Sequence, residues 1–84
     1  MATVDRDEEL AAAVAGREHW RLVDHSALYA PPGATAAVRV QPLMQPTRRA
    51  RYLAVIVRGD TVERSLPCPT ASSAITWAER IRLD

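Results

Sequence analysis

Hydrophobic and polar positions alternate most clearly in the last third of the chain. From Arg51 to Arg58, Tyr52, Ala54 and Ile56 fall on one side of an extended segment and Leu53, Val55 and Val57 on the other. A strand apolar on both sides belongs in the middle of a sheet, with something covering each face. Gly59-Asp60 follows as a two-residue link of the Gly-X kind that closes a type II′ hairpin. The return segment, Thr61 to Leu66, places Val62, Arg64 and Leu66 on one side and Glu63 and Ser65 on the other, and Pro67-Cys68-Pro69 breaks it. The pattern then changes period. Ala74, Trp77, Ala78 and Ile81 recur at the spacing of one helical face, behind a cap supplied by Thr70 or Ser72. Small residues on that stripe allow close approach to a sheet. Trp77 brings the largest side chain, so its truncation to Ala is expected to cost ~3–5 kcal/mol.

Upstream, Thr35 to Leu43 reads as another strand, with Ala36, Val38 and Val40 opposite Arg39 and Gln41, and Pro42 marking its end or an edge position. His19 to Val23 is a short strand. Asp24 or Ser26 is then expected to cap a single helical turn through Tyr29, ended by Pro31-Pro32-Gly33. Asp5 to Ala15 predicts a first helix, acidic at its start and stopped by Gly16. Its apolar stripe is only Leu10 and Val14, so it is expected either to pack lightly or to be a mobile arm. The expected class is α+β: a small antiparallel sheet of three to four strands, the C-terminal helix packed across one face, and an N-terminal helix. One domain spans 1–84, with 1–17 as helix or arm and 19–83 as the core. The C-terminal helix covers one face of the central strand. The second face needs the N-terminal helix, a loop or a partner molecule, and is the main place for function.

Composition narrows the setting. All 11 basic residues are arginine, and Lys, Asn and Phe are absent. Those missing residues use AT-rich codons, so a GC-rich bacterial or phage origin is expected. The segment Asp5-Arg6-Asp7-Glu8-Glu9 is too acidic for a signal peptide, no window reaches the length of a membrane span, and the lone Cys68 permits no intramolecular disulfide. A cytoplasmic protein without membrane association is the expectation.

The strongest polar signal is the run Thr47-Arg48-Arg49-Ala50-Arg51. Between Ala36 and Leu66 six arginines face two acids, although the whole chain is only +1. Guanidinium groups hold phosphate or carboxylate through a planar fork of donors, so Arg39, Arg48, Arg49, Arg51 and Arg58 are the candidate partner or nucleic-acid contacts. His19, Asp24 and His25 have the chemistry of a metal site but match no common zinc spacing. Cys68 precedes a helix N-terminus, where thiols are activated, yet has no base nearby in sequence. No serine lies in a nucleophile motif and the glycines are too scattered for a phosphate loop. The chain is therefore expected to be no enzyme and to need no cofactor.

The strand–strand–strand–helix order resembles the arm-type DNA-binding modules of phage integrases over roughly residues 36–83, through Tyr52 and Arg58 on the strands and Thr70, Ala74, Trp77, Ala78 and Ile81 on the helix. That resemblance implies a three-stranded sheet laid in the major groove. The chain departs from it in its acidic first helix, its extra strand around Trp20 and its largely aliphatic sheet. Two expectations follow. One is a protein-binding regulator or inhibitor, with a homodimer among its possible partnerships. The other is a nucleic-acid-binding module using the arginines.

Overall fold

The computed structural model describes residues 6–83. Helix α1 (Arg6–Val14) leads into five strands, β1 (Trp20–Val23), β2 (Ser26–Tyr29), β3 (Ala37–Pro42), β4 (Tyr52–Arg58) and β5 (Thr61–Cys68), and helix α2 (Ala71–Arg80) closes the order. The expected helical start at Asp5 lies outside the described residues. The strands form one antiparallel meander in the order β1-β2-β3-β4-β5, so every strand pairs with its sequence neighbour.

The fifth strand is the departure from expectation. Ser26–Tyr29 is β2 rather than a helical turn, paired to β1 from Trp20↔Tyr29 to Val23↔Ser26. Asp24-His25 is thus a two-residue hairpin link, with Asp24 at φ 55°. Aspartate tolerates that left-handed conformation better than most residues, and it lacks the Gly that marks the β4–β5 turn. There Gly59 takes φ 62° as the first of two linking residues, as a Gly-X link should.

β5 also differs from its simple alternation. A register shift opposite Ile56 and Val57 pairs Ile56 with Arg64 but Val57 with Val62. The extra residue, Glu63, turns Val62 to the side opposite Arg64 and Leu66. Pro67 lies inside β5 rather than ending it, which an edge strand permits because its outer side needs no donor.

Both helices pack on the same face of the sheet. Leu10, Val14, Ala27, Val38, Val40, Tyr52, Ala54, Cys68, Ala74, Ile75 and Ala78 form the core, joined by Ala36, Ala71 and Leu83. Leu10 is 1% exposed, so α1 is docked, not a loose arm. Narrow though its stripe is, the alanines around it let the helix sit close to α2, β1 and β2. On α2 the buried stripe is Ala71, Ala74, Ile75 and Ala78. Trp77 and Ile81 flank it half-buried, so Ile75, not Trp77, is the central side chain of this helix. Thr70 is its N-cap, in a reciprocal capping box with Ser73. Beyond the helix, the carbonyl of Leu83 accepts from the backbone N–H groups of Thr35 and Ala36, at 3.0 and 3.1 Å, and ties the chain end to the β2–β3 connection.

Candidate functional site: the open face of the sheet

With both helices on one side, the other side of the sheet carries no element of the described chain. Strand pairing fixes what lies there. One cross-strand row reads Arg21, Leu28, Arg39, Val55, Ser65; beside it lie Gln41, Leu53 and Pro67, and on the other flank Ala37, Val57 and Val62. None of these residues belongs to the helix-side core or packs against it. Val55 is nonetheless only 7% exposed, shielded by its neighbours in the sheet, whereas Val62 is 61% exposed. Leu28, Leu53 and Val57 are half-buried. The result is a shallow aliphatic surface across β2–β5, with Arg21 and Arg39 on its β1–β3 side.

The five sequence-predicted arginines do not converge. Arg39 is on this face, in the middle of the sheet. Arg48 and Arg49 are exposed at the tip of the β3–β4 connection, in a turn where the Thr47 hydroxyl accepts from the backbone N–H groups of Arg49 and Ala50 at 3.3 and 3.1 Å. Arg51 leads into β4, its N–H bonded to the Cys68 carbonyl at 2.9 Å. Arg58 stands at the far end of β4, roughly 20 Å away at strand rise, and its guanidinium is occupied by Glu63 and by the Thr35 hydroxyl. Arg48, Arg49 and Arg51 therefore form one basic end, Arg39 belongs to the sheet, and Arg58 is a clasp on the β4–β5 hairpin. Arg21 was not among the candidates. It lies on the same face as Arg39 through the register Arg21↔Leu28↔Arg39, which exists only because Ser26–Tyr29 is a strand.

The other chemical candidates are not brought together. His19 precedes β1 and Asp24-His25 follow it, so the strand's length separates them, and among the described residues no group of three His, Cys, Asp or Glu side chains is placed to hold a metal. Cys68 is buried, and burial pushes its thiol up from the ordinary value of 9.0. Desolvation thus overrides any activation by the α2 N-terminus. Its sulfur instead lies 3.5 Å from the Leu66 carbonyl.

The polar groups that are well engaged lie on the helix side and hold the layers together. Glu79 of α2 accepts from Arg17 at 2.5 Å and from the Trp20 indole N–H at 3.0 Å. Trp20 stacks on Tyr29 at a centroid distance of 4.8 Å. The hydroxyl of fully buried Tyr52 donates to Glu9 of α1. All four aromatic residues, Trp20, Tyr29, Tyr52 and Trp77, belong to or pack against the helix-side core, leaving the open face without an aromatic ring. Among the described residues no helix is long and apolar enough to cross a membrane. No family model, curated protein or solved structure matches this chain.

Proposed function

We propose that this chain is a non-catalytic protein-binding module, of the regulator or inhibitor type, whose working surface is the open face of the sheet. The observation that carries the reading is the one-sided placement of α1 and α2, which leaves Leu28, Leu53, Val55, Val57 and Val62 on a face with no covering element among the described residues. Apolar side chains on an uncovered sheet face, bordered by exposed charge, mark an interaction site, and a flat aliphatic sheet suits another protein's apolar ridge.

The nucleic-acid alternative rests on Arg48, Arg49 and Arg51 at the end of the sheet. Single strands are held by stacking bases on aromatic rings, and every ring here is turned to the helices. That argument weighs against the sheet face as a single-strand platform; for a duplex, the aliphatic residues around Arg21 and Arg39 offer phosphates no partner, and the exposed loop remains the denser basic site.

Two experiments separate the readings. Fluorescence anisotropy with mixed-sequence single- and double-stranded DNA at low and physiological salt is expected to show no binding, since phosphate contacts would give a steep salt slope. Affinity capture is then compared among the wild type, Leu53→Asp and Arg48→Glu/Arg49→Glu, each checked for folding. A protein kept by the loop variant and lost by Leu53→Asp fits the proposal. A protein kept by Leu53→Asp and lost by the loop variant refutes it.

A further inference from the structure

Charge on the open face selects the partner's chemistry. Arg21 and Arg39 flank Leu28 in one row, both are exposed, and neither enters an ion pair or side-chain hydrogen bond among the described residues. The described acids lie elsewhere. Glu8 and Glu9 are on α1 and Glu79 on α2, against the opposite face, and Glu18 is in the turn before β1, 3.8 Å from the His19 imidazole. Glu63 is held by Arg58 at the β5 bulge, and Asp24 and Asp60 sit in the two hairpin turns. The face therefore presents an aliphatic field on β4 and β5, with Arg39 at its border on β3 and Leu28 and Arg21 beyond it, and no carboxylate in these paired rows.

From this we infer that the open face docks an acidic amphipathic segment of another protein: an apolar ridge over Leu28, Leu53, Val55 and Val57, with carboxylates meeting Arg21 and Arg39. This inference rests on the open-face reading above and adds the partner's chemistry. A weakly hydrated guanidinium beside apolar surface favours a carboxylate, which it grips with two parallel hydrogen bonds. The spacing is suitable. Arg21 and Arg39 stand two strands apart, roughly 10 Å, and a helix carries side chains at i and i+7 on one face at about the same separation. A second copy of the chain fits less well, because its own open face carries no carboxylate in its paired rows to answer Arg21 and Arg39. Nucleic acid would satisfy the arginines but leave the aliphatic field against phosphates.

The test is an NMR titration of the ¹⁵N-labelled protein with two designed helical peptides of about 18 residues, ~27 Å long. They share one Leu/Ile ridge; one bears Glu along both flanks, the other Lys. The inference expects the Glu peptide to shift the amides of Leu28, Arg39, Leu53, Val55 and Val57, and to bind roughly tenfold or more tighter than the Lys peptide, as complementary and repulsive charges at two positions require. The Arg21→Glu/Arg39→Glu variant reverses the preference. Equal binding of both peptides on these same amides leaves the open-face reading standing and overturns the acidic partner. Shifts elsewhere, or none up to about millimolar peptide, overturn both. Face amides that move with protein concentration alone, or with duplex DNA, assign the face to a second copy or to nucleic acid and overturn the inference.

Discussion

Val40 and Val57 are both valines within adjacent central strands, β3 and β4, yet they point to opposite sides of the sheet. Val40 pairs with Ala54 and is fully buried under the helices. Val57 pairs with Ala37 and Val62 on the open face and is half-buried. Replacing each by Thr keeps the shape and the β-branching, so strand propensity barely changes, and only the new hydroxyl distinguishes the two sites. In Val40→Thr that hydroxyl meets Leu10, Ala54 and the other apolar side chains of the core, and an uncompensated buried hydroxyl costs ~1–3 kcal/mol. In Val57→Thr it reaches water, and the cost stays under ~0.5 kcal/mol. A urea slope of ~1 kcal/mol/M for a chain this small turns these into midpoint losses of about 1–3 M and under about 0.5 M. Urea melts followed by far-ultraviolet circular dichroism resolve that difference. Equal destabilisation of the two variants would refute the one-sided core. If the Val57→Thr loss also varied with protein concentration, a second copy would be covering the face.

The two hairpin turns give opposite expectations. Gly59→Ala forces a side chain into φ 62° where nothing lies within 4 Å, so its cost is purely conformational, ~1–2 kcal/mol; Asp24→Gly relieves the same conformation and is neutral or stabilising by up to ~1 kcal/mol. Thermal melts check both signs. Glu79→Gln loses the Arg17 ion pair but can still accept from Trp20; because Arg17 and Glu79 are 41% and 29% exposed, the loss is at most ~1 kcal/mol, while Glu79→Leu also removes the Trp20 bond and alters the near-ultraviolet dichroism. Cys68 makes stability fall with alkali. Its folded thiol titrates above 9.0, so past that pH the unfolded chain releases a proton that the folded chain retains. The stabilisation is whole below 9.0 and is lost as pH climbs toward the folded value; melts of Cys68→Ala across pH 8–11 should lack that component. In native protein a thiol reagent should label Cys68 far more slowly than in denaturant.

Elements with a single dominant period were legible in the sequence. β3, β4 and α2 follow from alternation and helical spacing, and Gly59-Asp60 announced its turn. What escaped was set by tertiary context. Ser26–Tyr29 is too short to show a period, and its hairpin turns on Asp24-His25 rather than on Gly, so the strand read as a capped turn. The bulge at Glu63 reverses Val62 and is invisible without the partner strand. α2 carries two overlapping stripes, and pattern alone favours bulky Trp77, whereas the close approach of Ala71, Ala74 and Ala78 centres the contact on Ile75. The same limit applied to the candidate site. The doubly apolar β4 predicted a face in need of cover, but sequence does not tell on which side α1 docks, and Arg21 joins Arg39 only through the register of a strand that was missed.

The most direct test of the one-sided architecture is methyl NMR with a soluble paramagnetic agent added to the dilute protein. The account predicts strong broadening of the methyl groups of Leu28, Leu53, Val57 and Val62, with Leu10, Val38, Val40 and Ile75 spared. Protection of both sets alike would mean that the second face is covered in the isolated chain, and would contradict its role as an open docking surface.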